Sequence, residues 1–129
     1  MPTCEQVAEA AHRYAQTLSA GDREGWLKGF TDCVEVIEPA DSAPRRGRSI
    51  FAGIFDDLRA SGRRLALKPL RIIVNGNEAA VYMSVRIFQP DGNVVAKSVI
   101  EIFQVANDGR ISRLRTYMDC HTGGSGPRP

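Results

Sequence analysis

The 129-residue sequence contains little cysteine, and the few cysteines are badly placed for structural use. Its three cysteines, Cys4, Cys33 and Cys120, lie far apart, form no CxxC pair and have no histidine at metal-ligand spacing. This spacing argues against a zinc site and against a disulfide framework. We therefore expect free thiols in a reducing cytoplasm and a protein that holds no metal.

The sequence also has little excess charge and no long apolar run. Lys and Arg number 17 and Asp and Glu 15, and the net charge of +2 is too small for nucleic-acid binding by bulk charge. No apolar stretch approaches the ~18 residues of a membrane span, and the charged residues near the start are unlike a signal peptide. We therefore expect a cytoplasmic protein whose partners include neither nucleic acid nor membrane.

The chain length is sufficient for one domain and hardly for two. A chain of this size buries roughly two-thirds of its unfolded surface, so it can fold without a metal or a disulfide. Residues 122–129, with the sequence TGGSGPRP, offer no large apolar side chain to a core, and we expect a flexible C-terminal tail there. Residues 1–121 are predicted to form the single domain.

Helical periodicity dominates the first half of the chain. Thr3 and Gln6 have capping-box spacing, which predicts a helix that begins near residue 4. Asp22 is a suitable cap for a short second helix, whose buried face we expect to include Phe30. Ser49 is a suitable cap for a third helix with an apolar face.

After residue 64 the period of the apolar residues changes from about 3.6 to about 2, which is typical of strands. Strands are expected after this point at residues 65–74, 81–87, 94–105 and 111–118, and one earlier strand is expected at residues 33–38. Residues 39–48 contain two prolines and are expected to form a loop. The order predicts an α+β fold, with three N-terminal helices packed on a curved, mainly antiparallel sheet that forms a cone-shaped pocket.

Three polar side chains fall on faces that are otherwise apolar, where an unsatisfied polar group has a desolvation cost. Tyr14 lies in the apolar stripe of the first helix. Glu38 ends the first strand, and strand ends that face a cavity are common positions for a general base. Glu101 shares its face with Val99 and Phe103, and burial among such side chains raises the pKa of a carboxyl group.

Each of the three also has a purely structural interpretation. Glu101 can be a surface residue or can pair with Arg86, and Glu38 can be a solvated carboxylate. Tyr14 can be a core aromatic residue. Together, however, one carboxylate, one phenol and one neutral carboxylic acid suit proton abstraction next to a carbonyl. The carboxylate takes the α-proton, and the other two groups donate hydrogen bonds to the dienolate oxyanion.

Four segments of the chain carry a family resemblance. They are His12–Leu18 with the following Ala-Gly-Asp, Glu38–Gly47, Asn77–Ala80 and Ile100–Phe103. Together they resemble the bacterial Δ5-3-ketosteroid isomerases of the nuclear transport factor 2-like superfamily, over nearly the whole chain. The resemblance implies the cone-shaped α+β fold, an isomerase that needs no cofactor, and a small hydrophobic substrate such as a steroid.

Residue by residue, the resemblance implies a role for each of the three polar side chains. Tyr14 would be the phenol of the oxyanion hole, Glu38 the general base and Glu101 the protonated acid. Ketosteroid isomerases are a standard example of a carboxylic acid kept neutral by an apolar site. The family has Asp at both carboxylate positions and, in some members, Tyr at position 55, whereas this chain has Glu and Phe55. The longer side chains of Glu38 and Glu101 would either lower turnover or suit another substrate.

Mostly apolar side chains on the inner faces are predicted to line the pocket and contact the substrate. They are Val36, Phe55, Met83, Val85, Ile87, Val99, Phe103, Leu114, Thr116 and Met118. The opposite face of the sheet, which includes Tyr82, Arg86, Ile100 and Ile102, is expected to pair with a second copy in a homodimer.

The same residues leave two other functions open. One is an epoxide hydrolase or cyclase of polyketide biosynthesis, in which one carboxylic acid protonates the epoxide and the other activates water or a hydroxyl. The other is a non-catalytic module that binds a hydrophobic ligand, since a fold alone does not establish chemistry. Two donors that converge on one point favour the isomerase, whereas carboxyl groups that face each other favour the epoxide chemistry.

Overall fold

The structure, a computed structural model, describes residues 1–121, so the predicted tail at 122–129 lies outside the described residues. The elements follow the chain as α1 (Cys4–Ser19), α2 (Arg23–Lys28), β1 (Phe30–Ile37), β2 (Arg45–Arg46), α3 (Arg48–Ala60), β3 (Arg64–Asn75), β4 (Glu78–Phe88), β5 (Val94–Val105) and β6 (Ile111–Met118). The predicted α+β class with three early helices is confirmed.

The strands form one mainly antiparallel sheet in the order β2-β1-β6-β5-β4-β3. β1 runs parallel to β6, and the other neighbouring pairs are antiparallel. Within this sheet Val81 of β4 lies opposite Glu101 of β5, which in turn lies opposite Thr116 of β6. The register therefore places two polar side chains next to each other in the middle of the inner face.

Helix α1 begins where the capping box predicted. The Thr3 backbone amide donates to the Gln6 side chain at 2.8 Å, and the Gln6 amide donates to the Thr3 hydroxyl at 3.1 Å. Both contacts satisfy amide groups that a helix terminus leaves without partners. The apolar stripe of α1 then packs on the sheet and carries Tyr14 and Leu18 into the interior.

Aromatic side chains fill the space between the helices and the sheet. Phe30 and Phe51 stack with their ring centroids 3.9 Å apart, and Trp26 packs against both of them edge-on. Tyr14 lies edge-on to Phe103, at a centroid distance of 5.0 Å. Each edge-on contact stabilises the fold by roughly 1 kcal/mol beyond the stabilisation that comes from removing the rings from water. The aromatic cluster therefore fixes α2 and α3 against β1.

Three local predictions were wrong. Phe30 begins β1 instead of closing α2, because α2 ends at Lys28 and Phe30 is needed in the core. The predicted loop contains the short strand β2, whose residue Arg46 pairs with Glu35 of β1 at 2.8 Å. Helix α3 starts two residues earlier than predicted, with Gly47 rather than Ser49 as its cap.

The helices and the cysteines can be compared with what the composition led us to expect. None of the helices in residues 1–121 combines the length and the apolar character of a membrane-crossing helix. The three cysteines are free, as expected, and all are exposed to solvent.

We expect Phe30→Ala to lower the free energy of unfolding by about 3–5 kcal/mol, because it leaves a cavity inside the aromatic cluster. Urea denaturation would measure the change. Val94→Ala is a suitable control, since Val94 is 49% exposed and its truncation should change the free energy of unfolding by less than about 0.5 kcal/mol. Equal effects of the two substitutions would contradict the position of Phe30 in the core.

Candidate active site

A cavity of about 340 Å³ lies between the helices and the inner face of the sheet. Tyr14, Glu38, Glu101 and Thr116 line it, and a chain of contacts connects Tyr14 to Glu101, Glu101 to Thr116 and Thr116 to Glu38. The volume is within the range of about 300–1,000 Å³ that is typical of small-molecule sites. The three side chains predicted to be catalytic therefore meet in one cavity, although they come from a helix, a strand end and a central strand.

Glu101 is the buried acid of the site, with only 2% of the residue exposed. Its Oε2 accepts a hydrogen bond from the Tyr14 hydroxyl at 3.3 Å and lies 3.2 Å from the Thr116 hydroxyl. Its Oε1 is buried and has no hydrogen-bond partner within residues 1–121. Arg86, the alternative partner considered from the sequence, is exposed and lies at another register position.

Burial is the main reason that the pKa of Glu101 rises from 4.5 to about 8. The nearby charge of Glu38 raises this pKa further, whereas the hydrogen bonds from Thr116 and Tyr14 lower it without cancelling the effect of burial. A carboxyl group with such a pKa holds its proton at pH 7 and can donate a hydrogen bond. The raised pKa agrees with the neutral acid that strand parity predicts at this position.

Tyr14 reaches the site from α1 with its ring held among aromatic neighbours. Its ring contacts Trp26, Phe30 and Phe103 at centroid distances of 5.0 to 6.1 Å. Burial raises the pKa of Tyr14 well above its usual value, and the charges of Glu101 and Glu38 add to the rise. The phenol therefore keeps its proton and acts as a hydrogen-bond donor.

Glu38 follows directly after β1 and meets the other carboxyl group through Thr116. The Thr116 hydroxyl lies 3.1 Å from Oε2 of Glu38 and 3.2 Å from Oε2 of Glu101. A hydroxyl has one hydrogen and can donate to only one of these oxygens at a time. When Thr116 donates its hydrogen to Glu38, the hydrogen between Thr116 and Glu101 must come from the carboxyl group of Glu101. The two contacts of Thr116 therefore fit an ionised Glu38 and a protonated Glu101.

Arg115 supports the segment that carries Glu38. Its Nε and one terminal nitrogen both donate to the carbonyl of Ala40, at 3.2 and 3.1 Å. Arg115 lies opposite Ile37 in the parallel pair of β1 and β6. The backbone on either side of Glu38 is therefore attached to β6, which is the strand that also carries Thr116.

The predicted contact residues fall into two groups. Half of them line the cavity, namely Val85, Ile87, Val99, Thr116 and Met118. The others, Val36, Phe55, Met83, Phe103 and Leu114, lie outside this lining. All of these except Phe55 are 0% exposed, and Phe55 borders a second cavity near Leu58 and Arg59. Strand parity identifies the inner face, but it does not show which rows of that face the helices cover.

Several residues that line the cavity were not predicted as contacts. They are Leu18, Trp26, Phe51, Ile54, Asp57, Leu58, Arg63, Leu65, Leu67 and Lys97. Lys97 shares its strand face with Val99 and Glu101, so strand parity could have identified it. The helix residues and Arg63 could not be identified in this way, because their position depends on how the helices lie across the sheet.

The polar groups of the cavity are carboxyls, hydroxyls and an indole, together with the cationic side chains of Arg63 and Lys97. Within residues 1–121, no three side chains of His, Cys, Asp or Glu gather in an arrangement that suits a metal ion. Trp26 contributes an indole Nε1 that is buried and has no hydrogen-bond partner in the described part of the chain. The groups that surround Glu38 and Glu101 can bind a polar atom and can move a proton.

The sequence and fold are similar to those of known proteins. The profile of a family described as the SnoaL-like domain matches residues 11–114. A Δ5-3-ketosteroid isomerase from Mycobacterium sp. superposes with a TM-score of 0.78 at 24% identity, over 88% of this chain and 93% of its own.

Two structures named for their likeness to epoxide hydrolases are similar to a comparable degree. An LEH-like epoxide hydrolase of M. tuberculosis has a TM-score of 0.80 at 19% identity, over 92% of this chain and 86% of its own. The epoxide hydrolase/cyclase-like enzyme SalBIII, which acts in pyran ring formation in polyether salinomycin, has a TM-score of 0.81 at 17% identity, over 95% of both chains. At these identities the superpositions show a common fold and leave the reaction open.

We expect the free energy of unfolding to fall as the pH rises from about 4.5 to about 8, owing to Glu101. In this window the folded protein keeps the Glu101 proton, which the unfolded chain has lost. Glu101→Gln removes this contribution, which is on the order of 5 kcal/mol over the window. Denaturant unfolding of both proteins at several pH values would measure the difference. Parallel curves for the two proteins would contradict a neutral, buried Glu101.

Proposed function

This chain belongs to the SnoaL-like domain family of the nuclear transport factor 2-like superfamily, and on that premise we propose that it is a double-bond isomerase. Its substrate would be a steroid-like or polycyclic ketone with a β,γ double bond. The observation that carries the proposal is the contact at 3.3 Å between the Tyr14 hydroxyl and the Glu101 carboxyl, inside a cavity that Glu38 also lines.

The proposed reaction moves one proton and shifts a double bond, and no carbon–carbon connection is broken. The Glu38 carboxylate takes a proton from the carbon between the carbonyl and the double bond, which leaves a dienolate with its negative charge on oxygen. Glu38 then returns the proton to the γ carbon, and the double bond becomes conjugated with the carbonyl. Glu38 acts first as general base and then as general acid, so the reaction needs no cofactor.

Stabilisation of the dienolate depends on donors that are already in place. Tyr14 and neutral Glu101 lie side by side, 3.3 Å apart, and both line the cavity. Donors held in a water-poor cavity stabilise an oxyanion without reorganisation during the reaction. Apolar side chains such as Val85, Ile87 and Val99 would exclude water around the rings of the substrate.

We expect Glu38→Gln to lower kcat for a β,γ-unsaturated 3-ketosteroid at least about 100-fold, because the amide cannot take the proton. The absorbance of the conjugated enone measures turnover. Glu9→Gln is a matched control with unchanged turnover, since Glu9 lies on the exposed face of α1.

Full activity of Glu38→Gln would overturn the assignment of the base. If the wild type binds a phenolic steroid, which imitates the dienolate, but converts no ketone, the protein is a binding module and not an isomerase.

A second candidate function, epoxide hydrolysis or cyclisation, is favoured by the contacts of Thr116. One hydroxyl within 3.2 Å of both carboxyl groups shows that Glu38 and Glu101 approach each other closely. Neutral Glu101 would give its proton to the epoxide oxygen, while Glu38 would take a proton from water or from a substrate hydroxyl. Formation of a diol or a cyclic ether from a polycyclic epoxide, with no turnover of the ketone, would favour this candidate.

We also propose that the outer face of the sheet pairs with a second copy of the chain. Register places Tyr82, Ile100 and Tyr117 side by side on three neighbouring strands, and each of them is between 42% and 46% exposed. A continuous apolar stripe of this kind on a sheet favours association. Of the other two predicted members of this face, Arg86 is exposed and Ile102 is partly buried.

Light scattering should give twice the chain mass of 14.1 kDa for the wild type. Ile100→Lys should shift the molecule to the monomer, because the ammonium group cannot be buried in the stripe. A monomeric wild type would contradict the proposed homodimer.

A further inference from the structure

The end of the cavity away from Tyr14 carries charged side chains in a wall that is otherwise apolar. Lys97 of β5 lies at this end, four residues before Glu101, and Arg63, which precedes β3, and Asp57 of α3 also line the cavity. In residues 1–121 none of the three belongs to an ion pair. Besides Glu38 and Glu101, the cavity lining therefore has two cations and one anion, which do not neutralise one another by direct contact.

Lys97 is the more informative of the two cations because of its position on the strand. It points to the same side of β5 as Val99 and Glu101, opposite Val85 of β4, and it is half-buried. An ammonium group beside apolar side chains loses hydration, and such groups are usually paired. Lys68, by contrast, lies on the opposite face and is exposed.

The distance between Lys97 and Glu101 indicates the length of a ligand that would contact both. Four residues along a strand, at about 3.3 Å each, separate their Cα atoms by about 13 Å. This length is comparable to that of a fused ring skeleton of three or four rings with a short substituent. A ligand with its ketone oxygen at Tyr14 and Glu101 would therefore extend its opposite end to Lys97.

We infer that the ligand of this cavity carries a carboxylate at the end opposite its ketone, and that Lys97, assisted by Arg63, binds that carboxylate. The inference rests on the proposed function, which places the ketone beside Tyr14 and Glu101. Arg63 is exposed and its Nε donates to the Ser61 hydroxyl at 2.9 Å, so its terminal nitrogens stay available. Asp57 in the same cavity lining disfavours a second negative charge on the ligand.

The test compares two phenolic steroids that differ only at the end distant from the phenol, one with a carboxylate and one with its methyl ester. Isothermal titration calorimetry with the full chain should show that the wild type binds the carboxylate about tenfold more tightly than the ester, as one charge-assisted hydrogen bond predicts. Lys97→Met should abolish this preference, so that the variant binds the carboxylate and the ester with equal affinity. Lys97→Arg should retain the preference, and Lys68→Met is the matched control that should behave as the wild type.

The possible results separate this inference from the function on which it rests. Equal affinity of the wild type for both ligands, or a preference that survives in Lys97→Met, would overturn the carboxylate site and leave the isomerase proposal standing. Failure of the wild type to bind either phenol would overturn both. A preference that is lost equally in Lys68→Met would show a general effect of protein charge and would also overturn the site.

Discussion

Desolvation of the Glu101 carboxyl group is the constraint on which the rest of the site depends. Ionising a carboxylic acid away from water is costly, so burial favours the protonated form of Glu101, which can donate a hydrogen bond as well as accept one. Tyr14, whose pKa burial also raises, then stands beside another neutral donor. A solvated Glu101 would be a second anion near Glu38, and the cavity would repel an oxyanion.

The fold provides this environment through long-range pairing. Glu101 is on a central strand, with β4 on one side and β6 on the other, and α1 covers the inner face above it. Thr116 is positioned by the register of β5 and β6, and Arg115 on the same strand holds the backbone near Glu38. Strand β6 thus connects Glu101, the Thr116 hydroxyl and the segment that carries Glu38.

Periodicity was sufficient to predict the fold class and the inward positions of Tyr14 and Glu101, because an amphipathic stripe and strand parity are local properties. The bridge made by Thr116 could not be predicted, since it depends on which residue of β6 lies opposite Glu101. Met83 and Phe103 share the parity of cavity residues but lie under covering side chains. Strand β2 also escaped prediction, because it exists only through its pairing with β1.

The central claim is that Glu101 is a neutral carboxylic acid near pH 7. The most direct measurement is the titration of its side-chain carboxyl carbon by 13C NMR, with the signal assigned by its absence in Glu101→Gln. The account predicts a midpoint near pH 8, in agreement with the pKa of about 8 that burial produces. A midpoint near 4.5, the ordinary value for a glutamate, would contradict it.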